Sequence, residues 1–133
     1  MKVSSINIHP DPYQPFHLSQ GYRAGDLLFI SGQTAIGEDG ALTGIGNFDI
    51  QAEKAFQNLE KVLKAGGSSL GNVIKVTILL RDMANFSKIV ALRKRYFTPP
   101  YPADTIMEVS SLYSPDALIE IEAVAVADEA VER

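Results

Sequence analysis

Cysteine is absent from the chain, which removes disulfides, thiolate metal sites and a thiol nucleophile from consideration. Histidine is nearly as scarce. His9 and His17 are the only two, so one copy of the chain cannot supply a three-histidine zinc site. No apolar stretch approaches the ~20 residues that span a bilayer. The chain starts with one lysine followed by polar residues and prolines, without the basic start and apolar block of a secretory leader. A cytoplasmic protein with no membrane contact is expected. The formal charge is −4, which weighs against broad nucleic-acid binding, because such binding rests on neutralising phosphates. No repeat, low-complexity run or linker interrupts the sequence. What remains is 133 residues, 46% apolar and 21% charged. These values fit one globular domain over 1–133.

Prolines cluster at Pro10 to Pro15 and at Pro99 to Pro102. The first cluster predicts an irregular N-terminal arm and the second a turn after a helix, since proline cannot continue one. Leu27-Leu28-Phe29-Ile30, held between Gly25-Asp26 and Ser31-Gly32, predicts a buried strand. From about Ile50 to Ala65 the period becomes helical. Ala52, Ala55, Phe56, Leu59, Val62 and Leu63 share one face, with Gln51, Lys54, Asn58, Glu60 and Lys61 mostly elsewhere. Asp49 is the expected N-cap and Gly66-Gly67 the left-handed stop.

Val73 to Leu80 predicts a β-branched strand with Ile74, Val76, Ile78 and Leu80 on one face. A second helix follows over about Phe86 to Phe97, capped by Asn85, with Phe86, Ile89, Val90 and Phe97 as its inner stripe. Ala103 to Ser110 and Leu118 to Val126 predict two more strands. The fold class is therefore α+β, a mixed sheet with two helices on one face. In the last strand Ile119, Ile121, Ala123 and Ala125 alternate with Glu120, Glu122, Val124 and Val126, so neither side is uniformly polar. A half-apolar sheet face without a covering layer points to a homo-oligomer.

Four segments, in order and spanning nearly the whole chain, carry a resemblance. They are Ser19-Gln20-Gly21 with Gly25 to Gln33, Asn58 to Ser68 leading into Val73-Ile74-Lys75-Val76-Thr77, Pro102-Ala103, and Ile119-Glu120-Ile121-Glu122-Ala123-Val124-Ala125. On these the chain resembles the RidA/YjgF family of reactive-imine deaminases. The resemblance implies a chorismate-mutase-like fold and a homotrimer with clefts between subunits. It also implies cofactor-free hydrolysis of a 2-imino or enamine acid to a 2-keto acid and ammonia. In active members an arginine grips the substrate carboxylate, which a guanidinium does bidentately, and a carboxyl group handles the attacking water. Transferred residue by residue, Ser31 and Gly32 match the cleft strand end and Glu120 the water-handling glutamate. Asp104 stands where the arginine would be, followed by Thr105. Ile106 stands where a cysteine is common, Leu18 where a tyrosine is, and Val90 where a helix asparagine is.

The substitution of an anion for a cation sets a carboxylate ligand against like charge. The expected substrate is therefore a small imine, enamine or related amino compound other than a free 2-imino acid, unless Arg81, Arg93 or Arg95 takes the arginine's place. Each site residue also has a plainer reading. Asp104 serves equally as a turn acid or as a partner for a lysine of a neighbouring copy. Glu120 serves equally as an interface acid paired with Lys75. If Asp104 and Glu120 lie close, they form an acid–base pair or a weak site for a hard divalent cation. Ser31 is expected to be structural, since no histidine is near it in sequence. Arg93-Lys94-Arg95 with Lys88 forms a basic patch beside Tyr96 and Phe97, read as a solvated helix face or as an RNA contact. A non-catalytic trimeric ligand-binding protein and an RNA-binding or RNA-cleaving protein are the two alternatives to the deaminase.

Overall fold

A computed structural model describes residues 1–132. Six strands form one sheet in the order β1-β2-β3-β6-β4-β5. The strands are β1 (Val3–Ile6), β2 (Gly21–Ala24), β3 (Leu27–Gln33), β4 (Val73–Leu80), β5 (Ala103–Glu108) and β6 (Ile119–Val126). The helices are α1 (Phe48–Ala65), between β3 and β4, and α2 (Phe86–Tyr96), between β4 and β5. β5 runs parallel to β4, and the other pairings are antiparallel. A parallel pair needs a crossover, and α2 supplies it. No described helix is long and apolar enough to cross a membrane.

The core lies between the helices and one sheet face. Leu28 and Ile30 of β3, Val76, Ile78 and Leu80 of β4, and Ile119, Ile121, Ala123 and Ala125 of β6 are buried there, under Phe56, Leu59, Val62 and Leu63 of α1. Each large side chain so buried contributes ~1.5–3 kcal/mol. The opposite face carries rows such as Tyr22–Phe29–Val124 and Met107–Leu79–Glu120, and no described element covers it.

Four details depart from the sequence reading. α1 begins two residues earlier than expected, and its cap is Asn47, whose side chain accepts the Ile50 amide at 3.1 Å. Asp49 lies in the first turn and pairs with Lys88 at 3.1 Å. The stop is as expected: Gly67 takes a positive φ of 82° and Ser68 N–H returns to Leu63 O at 2.9 Å. In β4 the register shifts between Val73 and Lys75, so Ile74 leaves the apolar row and is exposed. In α2 only Ile89 is buried within the helix, while Phe86 and Val90 are exposed.

Gln51 is the largest departure, because a polar residue of α1 is fully buried. Its amide donates to Asp116 O at 2.8 Å and Gly44 O at 3.3 Å, and its carbonyl oxygen accepts Leu118 N–H at 2.9 Å. One side chain thus ties α1 to the loop that feeds β6. Gln51→Leu should lower stability by ~3 kcal/mol or more, since up to three backbone groups lose their partners at ~1–3 kcal/mol each. Urea unfolding checks it, and a loss below ~1 kcal/mol would show that water replaces the side chain.

Candidate functional site

β3 and β6 pair at Ile30 with Ala123 and at Gln33 with Ile121, so β3 holds one extra residue across Ser31-Gly32. A bulge of this kind bends a strand and re-aims what it carries. Here it opens a groove of about 460 Å³ lined by Tyr13, Phe16, Leu18, Ser31, Gly32, Tyr113, Glu120 and Glu122. Glu120 and Glu122 project into it because β6 alternation turns their neighbours into the core.

Gly32 is the condition for Glu120. A Cβ on Gly32 would fall 2.6 Å from Glu120 Oε2 and 2.7 Å from its Cδ, distances at which one group must move. Burial raises the Glu120 pKa above the ordinary carboxylate range, and the negative charge of Glu122 raises it further. No ion pair reaches Glu120 among the described residues, and Lys75, the partner considered from sequence, instead donates to Thr105 Oγ1 at 2.7 Å.

The bulge is held by polar groups from the N-terminal arm and β3. Tyr13 Oη donates to Gly32 O at 2.6 Å, and burial pushes its phenol up to about 12, against the opposing pull of Thr34. Ser31 Oγ donates to Ser19 O at 2.5 Å and Ser31 N–H to Gln20 O at 2.9 Å. Gln33 Nε2 donates to Gln20 Oε1 at 2.9 Å and Ser31 O at 3.1 Å, and Gln20 Nε2 donates to Asp11 Oδ1 at 2.8 Å. Ser31 therefore spends its proton on the backbone, and no histidine lines the groove, which suits a structural role. Phe16 and Tyr113 stand edge to face at 5.9 Å across the groove.

Asp104 lies elsewhere. In β5 it pairs with Val76 and shares the helix-facing side of the sheet, whereas Glu120 pairs with Leu79 on the open side. Within one chain the two carboxylates form neither an acid–base pair nor a cation site, and the described residues hold no cluster suited to a metal. Asp104 instead takes a bidentate ion pair from α2: Arg93 Nε to Oδ2 at 2.8 Å and Nη2 to Oδ1 at 3.1 Å. Both side chains are largely buried, at 24% and 18% exposure. They sit in a second groove, about 780 Å³, with Phe86, Val90, Phe97, Tyr101 and Ile106.

Of the residues singled out from sequence, Leu18, Ser31, Gly32 and Glu120 share one groove, and Val90, Asp104 and Ile106 share the other. Thr105 lines neither, because its side of β5 is the open sheet face. Of the two openings left by the sequence, repulsion by Asp104 alone or a nearby arginine beside it, the geometry has Arg93 beside Asp104. A ligand carboxylate ~4 Å from the guanidinium gains ~4 kcal/mol at an effective dielectric of ~20, and Asp104 at ~6.5 Å takes back ~2.5 kcal/mol, leaving a weak attraction. Arg81 donates to Pro115 O at 3.2 Å and Arg95 pairs with Glu53 at 3.8 Å, and neither lines this groove. Tyr13, Phe16, Tyr113, Gln20 and Gln33 carried no assigned role in the sequence reading. The two glutamines stood inside the quoted motifs, beside Ser19-Gly21 and Ser31-Gly32.

Carbon-13 NMR titration of the Glu120 carboxyl should place its midpoint above the ordinary glutamate value, and Glu122→Gln should lower it. The neutral form is the one burial favours, so this group's contribution to stability is lost as pH rises through the raised pKa, and Glu120→Gln should abolish that loss. A midpoint at or below the ordinary value contradicts the desolvated site.

Comparison with known proteins agrees with this geometry. Residues 9–127 match the family described as endoribonuclease L-PSP. A RutC family protein of Pyrococcus horikoshii is 40% identical over 87% of this chain and 90% of its own length. The 2-iminobutanoate/2-iminopropanoate deaminase of Mus musculus is 34% identical over 94% of this chain and 90% of its own. The crystal structure of YyfA from Yersinia pestis, described as a protein of unknown function of the conserved Rid protein family, superposes with a TM-score of 0.87. It is 29% identical, and the alignment covers 95% of this chain and 100% of that one. With the mixed sheet, the two helices on one face and the Ser31-Gly32-Glu120 groove, these likenesses place the chain in the RidA/YjgF family.

Proposed function

We propose that this chain is a hydrolytic deaminase of small imines or enamines, acting without a cofactor in clefts between the copies of a homotrimer. The observation that carries the reading is Glu120: a half-buried carboxylate with a raised pKa and no ion pair among the described residues, beside the bulged Ser31-Gly32. The name of the mouse relative, an iminobutanoate and iminopropanoate deaminase, points the same way. The substrate enters as the protonated iminium. Ionised Glu120 takes one proton from water as the water oxygen bonds to the C=N carbon, which gives a neutral carbinolamine. Glu120 then passes that proton to the nitrogen, and the C–N bond breaks as the hydroxyl proton goes to Glu120 and the C=O bond forms. Glu120 hands this proton to the departing ammonia, so a carbonyl compound and ammonium leave and the carboxylate is regenerated.

The trimer rests on the half-apolar open sheet face, where Phe29, Tyr22 and Leu27 are exposed, and on the split of the site residues between two grooves. Each groove is half a site, and the Glu120 groove of one copy is completed by the Arg93–Asp104 groove of another. The RNA reading draws less support from the basic helix than its sequence suggests. Lys88 is paired with Asp49, Arg93 with Asp104 and Arg95 with Glu53, and Lys94 alone of the four has no ion pair among the described residues, so part of the charge available to phosphates is neutralised.

An imine generated in situ by an amino-acid dehydratase tests the reading, with release of the keto product followed with and without this protein. The protein should speed release. Glu120→Gln should abolish that effect, and Gly32→Ala should reduce it by on the order of a hundredfold through displacement of the carboxylate. Unchanged release with the intact protein, together with retained ligand binding, would instead make it a non-catalytic binding protein.

A further inference from the structure

An arginine that already holds a bidentate carboxylate is usually spent, yet Arg93 is not. Guanidinium carries five N–H donors. Asp104 occupies Nε–H and one Nη2–H. The remaining edge, formed by Nη1 and the second Nη2 hydrogen, meets no acceptor among the described residues. Arg93 lines a groove with Phe86, Val90, Phe97 and Ile106, which Lys94 also lines. The pair is fixed rather than flickering: its partners come from a helix and a strand, and Arg93 also lies over the Phe86 ring at 5.8 Å. A planar edge of two parallel donors, pre-aimed in a largely apolar groove, is the geometry that carboxylates match.

We propose that Arg93, from α2, is the group that receives a ligand's carboxylate in this chain, and that Asp104 is its positioning residue. The inference rests on the deaminase reading only for the fate of the ligand. It concerns which end of the ligand is recognised. Asp104 has two opposite effects. It fixes the guanidinium's orientation, which favours binding, and it cancels part of the positive charge, which weakens it. The ligand class is then a monocarboxylate with a small apolar body, held less tightly than a lone arginine would hold it.

The probes are 2-oxobutanoate, a stable carboxylate, and 2-oxobutanamide, its uncharged counterpart, titrated into the full-length protein by NMR or calorimetry. The acid should bind more tightly than the amide. Arg93→Gln should weaken the acid about tenfold and leave the amide within about twofold. Arg93→Lys should keep part of the preference. Asp104→Asn, which still accepts from Nε but carries no charge, should tighten the acid several-fold. An Arg93→Gln protein that binds the acid as before would overturn the assignment, as would equal binding of acid and amide or no binding of either by the unaltered protein. Circular dichroism confirms that each variant is folded. Turnover is read separately: acid binding that survives while imine hydrolysis is absent would remove the deaminase reading and leave the Arg93 anchor standing.

Discussion

The register of β6 under α1 is the constraint on which the site depends. Ile119, Ile121, Ala123 and Ala125 are locked into the core between β3 and β4, so Glu120 and Glu122 have to face outward. A slip of one residue would exchange the two sets and bury two carboxylates without partners, at a cost of several kcal/mol each. Hydrophobic burial on one side of the strand therefore positions the proposed catalytic carboxylate on the other. The bulge in β3 builds on that fixed register. It clears Glu120 by placing a glycine opposite it, and Tyr13, Gln20 and Gln33 hold the bulged backbone from behind.

The two grooves have different electrostatic characters, and the proposed function gives them separate tasks. Burial raises the Glu120 pKa and the charge of Glu122 raises it further, with no ion pair to Glu120 among the described residues. The α2 groove holds the Arg93–Asp104 ion pair and is also lined by Lys94, which suits the proposed anchoring of a carboxylate. Neither is sufficient alone. An imine seated only against Glu120 has nothing to fix its far end, and a carboxylate seated only on Arg93 has no group to move a proton. In the proposed trimer, the half-apolar open sheet face is the surface on which a second copy would bring the halves together.

Much of this was legible in the residues. The period of α1, the alternation in β6 and the Gly66-Gly67 stop follow from local chemistry, and the structure keeps all three. Ser31, Gly32, Leu18 and Glu120 were named from sequence and share a groove. What escaped was set by tertiary geometry. Gln51 is polar yet buried, because three loop backbone groups needed a partner that only the folded chain defines. Ile74 and Ser31-Gly32 are displaced by bulges that no alternation pattern encodes. Arg81, Arg93 and Arg95 were all open as neighbours of Asp104, because sequence spacing alone does not reveal that Arg93, on a helix that crosses over the strand, is the one that reaches it at 2.8 Å.

Mixed oligomers test the central claim, that one site is assembled from two copies. Glu120→Gln and Arg93→Gln proteins, each deficient at low substrate concentration, would be unfolded together and refolded as a mixture. Random assembly in a trimer should give about a quarter of the clefts an intact Glu120 from one copy and an intact Arg93 from its neighbour, and activity should recover to about that fraction of the unaltered protein. A mixture no more active than its two components measured apart would place both residues' roles within a single chain and contradict the account.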